Sequence, residues 1–320
     1  MHKLSSRNLT VYGSLRIKSR NIITLTPDYP SARRITGADS STATIRIFGT
    51  NGVKAALVAR KRTFKYLYVY GHDLAKHNIL RLARQASVEI VTVDNKGVLN
   101  NMADNRPHNG VVLECTELSY TKVSALGARS DQWLPILNND DIMSTDQRVA
   151  KTHQTGISPP IYLLLDEITD PQNVGSIIRT AYFLGVSGLI MSVKNCASIT
   201  PVVIKAASGA TEFLSLFYTD STTSFIRSSR KNGWICCATV GTKDACNDHR
   251  TVDFKELRDL SKLRPILLVF GSEGSGLRTL VKSECSKLLT VPARGDLNPT
   301  IDSLNVGVAV GVILGSLVEQ

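Results

Sequence analysis

Three polar loops follow short apolar runs in the second half of the chain. Their sequences are DPQNVGSIIRT (170–180), FGSEGSGL (270–277) and VPARGDLNPTIDSLNV (291–306). The first loop offers an amide, Asn173, and a cation, Arg179, and the second offers an acid, Glu273. Because ligands of open α/β sheets bind beyond the carboxyl ends of the strands, we expect the three loops to form one site.

The Gly-rich loop 270–277 does not match the common phosphate-binding patterns. Gly276 is followed by Leu277, not by the Lys-Ser/Thr pair of a P-loop, and the glycine spacing differs from that of dinucleotide sites. A nucleotide hydrolase would therefore lack the lysine and the metal-binding acids that it needs. Glycines let backbone groups approach a flat ligand closely, and Glu273 favours a neutral or cationic one. A nucleoside carrying a sulfonium fits this description.

Alternating apolar runs and amphipathic stretches predict an α/β domain around these loops. The predicted strands are Ile161–Leu165, Leu189–Ser192, Leu214–Tyr218, Trp234–Val240, Ile266–Phe270 and Leu288–Val291. The predicted helices are Val174–Leu184, a stretch from Thr200 through Ala207, and Leu304–Leu317. Because the strands are continuous apolar runs, we expect a parallel sheet covered on both faces.

The first half of the chain predicts a smaller α/β domain at residues 45–118, followed by a polar linker at 119–158. Its stretch RKRTFKYLYVY (60–70) mixes cations with aromatic residues. We interpret the aromatic positions as a core strand and the cations as candidate contacts to RNA phosphates. These cations are Arg60, Lys61, Arg62 and Lys65.

Residues 1–44 have the composition of an organelle transit peptide or of a disordered RNA-binding arm. No acid precedes Asp28, whereas five Lys and Arg residues do, among many hydroxyl-bearing and amide residues. We favour the transit peptide, and with it a mitochondrial location.

The charge balance favours an anionic partner. The chain has 320 residues, 38 Lys and Arg against 27 Asp and Glu, and a net charge of +11. Nucleic acid is the first candidate and a membrane surface the second, while a merely solvated basic surface stays open. The apolar run Leu304–Val318 is too short for a membrane span. Six cysteines without a C-x-x-C pair predict a reduced compartment and no metal site.

Taken together, the three loops resemble the motifs of the SpoU (TrmH-like) branch of the SPOUT RNA methyltransferases. The matching residues are Asn173-Val-Gly175 with Arg179-Thr180-Ala181, then Gly271-Ser-Glu273-Gly274-Ser-Gly276, then Pro292 with Ser303-Leu304-Asn305-Val306. The segment Pro201–Phe213 also resembles the family. With the three motifs, the resemblance covers roughly residues 160–320. GTNGVKAAL and RPHNGVVL resemble its small RNA-binding domain more loosely. The spacer 293–302 is longer than the family pattern leads us to expect.

The resemblance implies a C-terminal domain, 159–320, with a trefoil knot that binds S-adenosylmethionine, and a homodimer whose two subunits shape each site. It implies methyl transfer to a ribose 2′-hydroxyl of RNA. The implied catalytic set is Arg179, Asn173, Glu273, Ser303 and Asn305. The implied cofactor-binding set is Gly271, Gly276, Val291, Pro292 and Leu304. We expect Glu273 to orient Arg179 or Asn305.

With the transit-like N-terminus, the resemblance favours a guanosine of mitochondrial large-subunit rRNA as the substrate. A tRNA substrate is the alternative within the same chemistry. A non-catalytic factor that binds rRNA during ribosome assembly is the alternative from another class, and the complete motif set argues against it.

Overall fold

The computed structural model describes residues 16–18, 22–24, 43–71, 74–127, 135–137, 159–246, 248–293 and 303–318. The chain divides into two compact units, Met1–Glu117 and Leu118–Gln320. Most of the predicted transit segment, most of the spacer 293–302 and part of the predicted linker lie outside the described residues.

The N-terminal unit is a small α/β domain. Its strands are β1 (Arg16–Lys18), β2 (Ile22–Thr24), β3 (Thr44–Phe48), β4 (Phe64–Tyr70), β5 (Glu89–Val93) and β6 (Val111–Thr116). Its helices are α1 (Thr50–Ala59), α2 (Leu74–Gln85) and α3 (Lys96–Met102). Four strands form a mixed sheet in the order β3-β6-β4-β5, with β4 and β5 parallel. Leu67, Tyr68 and Val69 of β4 are buried, which confirms that this aromatic stretch is a core strand.

The C-terminal unit is built on a nine-stranded sheet. Its strands are β7 (Thr121–Leu126), β8 (Pro135–Leu137), β9 (Ile161–Leu165), β10 (Gly188–Ser192), β11 (Leu216–Thr219), β12 (Ile235–Thr239), β13 (Thr251–Val252), β14 (Ile266–Phe270) and β15 (Lys287–Leu289). The order is β13-β15-β12-β14-β9-β10-β11-β7-β8. Every pairing is parallel except that of the edge strand β8.

Helices cover both faces of this sheet, as predicted. They are α4 (Pro171–Phe183), α5 (Pro201–Ala206), α6 (Thr222–Lys231), α7 (Thr242–Ala245), α8 (Phe254–Leu263), α9 (Thr279–Glu284) and α10 (Val306–Val318), with a 3-10 turn at Ala210–Glu212. On one face, α4 and α10 bury Ile177 and Val310 in the core. On the other, α6 and α9 bury Phe225 and Val281. Cys236 and Cys237 of β12 are fully buried and unpaired, as small apolar residues are.

The predicted linker differs from the structure over Thr121–Leu126. These residues form β7, which pairs in parallel with β11 through Phe217 and Thr121. Val123 and Leu126 are buried in the core of the C-terminal unit. The stretch holds few large apolar residues, so a local pattern does not reveal a strand that a distant neighbour stabilises.

Helices α4, α5 and α10 pack closely because of small residues. A Cβ added to Gly175 would lie 2.4 Å from the Cβ of Ala206 on α5, and one added to Gly307 would lie 2.5 Å from Ser176 Oγ on α4. Gly175 therefore serves helix packing. The same is true of Gly307. The expected knot depends on the path between β15 and α10, which includes 294–302, outside the described residues.

Candidate active site

Helix α4 begins earlier than predicted and already contains Asn173. Asp170 is its N-cap, with a side chain that accepts a hydrogen bond from Gln172 N at 2.9 Å, and Pro171 takes the first helical position. Asn173 therefore does not cap this helix. Because Asp170 caps the helix, the amide of Asn173 is free to contact other loops.

Three side chains form a continuous hydrogen-bonded chain at the carboxyl edge of the sheet, which we call the amide chain (Glu273, Asn173, Asn305). Asn173 Nδ2 donates to Glu273 Oε1 at 2.7 Å, and Asn305 Nδ2 donates to Asn173 Oδ1 at 3.0 Å. Asn305 Oδ1 accepts from Gly307 N at 2.9 Å and Val308 N at 3.3 Å. The amide chain therefore brings all three predicted loops together.

The orientation of both amides follows from the two ends of the amide chain. An ionised carboxylate only accepts hydrogen bonds, so the Nδ2 side of Asn173 must face Glu273. The first turn of α10 offers only N–H donors, so the Oδ1 side of Asn305 must face the helix. Flipping either amide would set donor against donor or acceptor against acceptor. Glu273 thus orients Asn305 through Asn173, and it does so without the direct contact that we expected.

The loop that carries Glu273 folds back on itself. Gly276 N donates to Ser272 O at 2.9 Å, and Gly276 has a φ of 66°, which suits glycine. A Cβ on Gly271 would lie 2.5 Å from Gly276 C, so any side chain there would open the turn. By contrast, a Cβ on Gly274 or Gly276 would meet nothing within 4 Å. The loop is a tight turn whose outer side is bare backbone.

The cofactor-binding candidates fit a nucleoside with a sulfonium. β12 lies between β14 and β15, so the ends of β14 and β15 lie about 10 Å apart. Val291 packs partly against the core and Pro292 is exposed after β15, while Leu304 is 49% exposed beside Asn305. Bare backbone and apolar surface suit an adenosine, and the carboxylate of Glu273 suits a cation. A phosphate would find no lysine or arginine among these residues.

Arg179 does not join the amide chain. It lies six residues after Asn173 on α4, which is about 9 Å along the axis and about 240° around it. It is exposed and has no hydrogen bond or ion pair within the described residues. Glu273 bonds Asn173 and not Arg179, so of its two expected partners only Asn305 is connected to it, through Asn173. Ser303 is exposed two residues before Asn305.

The four predicted RNA contacts in the N-terminal unit differ in exposure. Arg60, Lys61 and Lys65 are exposed, with Lys65 Nζ 2.7 Å from Thr44 Oγ1. Arg62 is only 6% exposed, and its Nη1 donates to the carbonyl of Thr116 at 3.0 Å. The side chain of Arg62 thus holds β6 in place and has little exposed surface left for a phosphate. The other three remain predictions.

Each of the two units matches a known protein family. Residues 160–315 match the SpoU rRNA Methylase family, and residues 46–121 match the family described as RNA 2′-O ribose methyltransferase substrate binding. The crystal structure of an AdoMet-bound rRNA methyltransferase from Sinorhizobium meliloti superposes with a TM-score of 0.61 and 21% identity, over 86% of each chain. The likeness to that structure supports the fold.

The chain belongs to the SpoU rRNA methylase family and is an RNA methyltransferase. It is 38% identical to the mitochondrial rRNA methyltransferase 1 of Schizosaccharomyces pombe, over 85% of this chain and 89% of that protein. It is 32% identical to the human protein of that name, over 86% and 72%. It is 30% identical to the 23S rRNA (guanosine-2′-O-)-methyltransferase RlmB of Ralstonia nicotianae, over 86% and 95%.

Two substitutions of Asn305 separate its role as a helix cap from its role in the amide chain. Asn305→Ala removes both, and we expect the free energy of unfolding in urea to fall by about 0.5–2 kcal/mol. Asn305→Ser keeps a capping oxygen but loses the amide donor to Asn173. We expect near-native stability and a methyl-transfer rate as low as that of Asn305→Ala. A fully active Asn305→Ser enzyme would show that Asn305 only caps α10.

Proposed function

We propose that this chain transfers a methyl group from S-adenosylmethionine to the ribose 2′-hydroxyl of a guanosine in mitochondrial large-subunit rRNA. The observation that carries the proposal is the amide chain, which ties the three motif loops into one site at the carboxyl edge of the sheet. The relatives support the substrate: those from Schizosaccharomyces pombe and human are named mitochondrial rRNA methyltransferases, and the bacterial one is named for a guanosine 2′-hydroxyl of 23S rRNA.

When bound, S-adenosylmethionine supplies an electrophilic methyl group on a cationic sulfur. Gly271, Gly276, Val291, Pro292 and Leu304 would hold it through backbone groups and apolar contacts. Glu273 places a negative charge near the cationic ligand, and its hydrogen bond from Asn173 fixes where that charge lies. Asn173 and Asn305 then present a rigid polar edge to the acceptor ribose, with Ser303 beside them.

Arg179 assists the acceptor as a permanent cation. A guanidinium holds its proton in proteins, so Arg179 is not a free general base. It stabilises the oxyanion that develops on the 2′-oxygen or binds the adjacent phosphate with two N–H groups. The proton of the hydroxyl passes to that phosphate or to water. Alignment and charge stabilisation thus account for catalysis in this proposal.

We propose that two copies of the chain complete the site. Leu304, just before α10, and Val308 and Val312 on α10 recur every fourth residue and are 49%, 52% and 41% exposed. Val310, Ile313 and Leu314 of the same helix are buried, so this apolar stripe lies on the side of α10 opposite the core. A second copy would cover the stripe and remove apolar surface from water. Because Arg179 points outward from its own amide chain, we assign it to the site of the partner copy.

The location of the protein is inferred from its relatives and its N-terminus. The relatives from Schizosaccharomyces pombe and human are named mitochondrial, and residues 1–44 have the composition of a transit peptide. No helix in the described part of the chain is long and apolar enough to span a membrane. We propose a mitochondrial location on the names of these relatives and the composition of residues 1–44.

A methyl-transfer assay with the purified protein and labelled S-adenosylmethionine tests which RNA is the substrate. Transcripts of mitochondrial large-subunit rRNA and of mitochondrial tRNAs are offered separately, and 2′-O-methyl sites are mapped. We expect one modified guanosine in the rRNA and a loss on the order of 10²–10³-fold with Arg179→Ala. Methylation of tRNA alone would favour the alternative substrate. RNA binding without methylation of any transcript would favour the assembly factor.

A mixed dimer tests the assignment of Arg179 to the partner copy. Arg179→Ala and Asn173→Ala chains carry different tags, are co-expressed, and the mixed dimer is purified. Each variant alone should be inactive. If Arg179 serves the partner, one of the two sites is intact, and we expect about half of the wild-type rate per dimer.

The matched control is a mixed dimer of Asn173→Ala and Glu273→Ala chains. Both residues belong to the same chain's site, so neither site is intact and no activity should return. If the Arg179→Ala and Asn173→Ala dimer is as inactive as this control, Arg179 works within its own chain or not at all. A chain that stays monomeric in solution would contradict the dimer itself.

A further inference from the structure

A buried carboxylate that is not among the motif residues named above lies at the start of the connection that carries Asn173. Asp166 directly follows β9 and is 1% exposed. Arg278 donates to it twice, from Nε to Oδ2 at 3.1 Å and from Nη2 to Oδ1 at 2.7 Å. The hydroxyl of Thr222, in the first turn of α6, donates to Oδ1 at 2.8 Å. Three donors thus satisfy a charge that would otherwise be costly to bury.

The ion pair joins two of the three loops that supply the amide chain. Asp166 begins the connection from β9 to α4, which carries Asn173. Arg278 follows the turn Gly271–Gly276, which carries Glu273, and is the N-cap residue of α9. The backbone N of Asp166 also donates to Phe270 O at 2.8 Å, where the turn begins. The start and the end of the turn are therefore both tied to Asp166.

The next residue shows that the backbone is constrained here. Glu167 has a φ of 61°, in the left-handed region, which is unfavourable for a residue with a side chain. Its carboxylate oxygen lies 3.4 Å from Arg278 Nη1, and its backbone N donates to Ser192 Oγ at 3.1 Å. The guanidinium therefore faces two consecutive carboxylates. The contacts of Glu167 with Arg278 and Ser192 stabilise this left-handed backbone conformation, which is otherwise unfavourable.

We propose that Asp166 and Arg278 are positioning residues for methyl transfer, because their ion pair fixes the turn Gly271–Gly276 against the start of α4. Neither residue touches the amide chain. The pair sets the distance between the carboxylate of Glu273 and the amide of Asn173, and with it the shape of the cofactor-binding turn. The expected effect on methyl transfer rests on the proposed function. The expected effect on the turn Gly271–Gly276 does not.

Arg278→Lys and Asp166→Asn test the proposal with small changes. Lysine keeps the charge but loses the planar fork, and asparagine keeps the shape but loses the charge. We expect each to raise the KM for S-adenosylmethionine and to lower kcat, together on the order of tenfold to a hundredfold in kcat/KM. The double variant Asp166→Asn/Arg278→Gln serves if a single variant fails to fold, since it removes both charges of the pair and leaves only the partly exposed Glu167 without its ion-pair partner.

Arg227→Lys is the matched control. Arg227 also pairs through its guanidinium with a carboxylate, Glu284, and that pair links α6 to α9 away from the turn. We expect its KM and kcat to equal those of the wild type. Equal changes in KM and kcat in Arg227→Lys and Arg278→Lys would show that the change in Arg278→Lys comes from a general loss of stability. That result would overturn the proposal.

Hydrogen exchange of residues 271–277 without cofactor provides a readout that does not depend on activity. Gly276 N is bonded to Ser272 O, and we expect its exchange to accelerate on the order of tenfold in Arg278→Lys but not in Arg227→Lys. Unchanged exchange together with unchanged kinetics would refute the positioning role. The wild type could neither bind nor use S-adenosylmethionine while exchange of Gly276 N still accelerates in Arg278→Lys. That result would contradict the proposed function but would support the claim that the ion pair fixes the turn.

Discussion

One amide, Asn173, must satisfy a carboxylate and a second amide at the same time, and the arrangement of the candidate site depends on it. Its Nδ2 faces Glu273 and its Oδ1 faces Asn305. The partners lie 100 and 132 residues away along the chain. Because the far ends are a pure acceptor and the donors of a helix N-terminus, only one orientation of each amide satisfies all groups. A polar network of this kind specifies geometry more than it adds stability.

The sheet places the three contributors close enough for this contact. β14 pairs with β9 in parallel along five residues, from Ile266 with Ile161 to Phe270 with Leu165, so both strands end at the same edge. The turn that carries Glu273 and the start of α4 therefore emerge side by side. Helix α10 packs on α4 where Gly307 meets Ser176, which brings Asn305 to Asn173. Below them, the ion pair of Asp166 and Arg278 joins the same two connections.

The elements that depend on local sequence pattern are predictable from the sequence. The apolar runs at Ile161–Leu165 and Ile266–Phe270 are strands with those bounds. The Asp-Pro signal at 170–171 was available and would have started α4 three residues earlier. The partners of Asp166, the burial of Arg62 and the strand β7 depend on contacts between distant residues, and no spacing within the chain encodes them. The resemblance to a family located Asn173, Glu273 and Asn305, and the structure showed how they are connected.

A double-mutant cycle between Glu273→Ala and Asn305→Ala, measured on kcat/KM for methyl transfer, tests whether Asn173 couples Glu273 to Asn305. The two side chains are each hydrogen-bonded to Asn173 and not to each other, so we expect their coupling to pass through Asn173. We predict a coupling of about 0.5–3 kcal/mol in the wild-type background and none when the cycle is repeated with Asn173→Ala. Additive losses in the wild-type background would contradict the account, because they would show that the three side chains act independently.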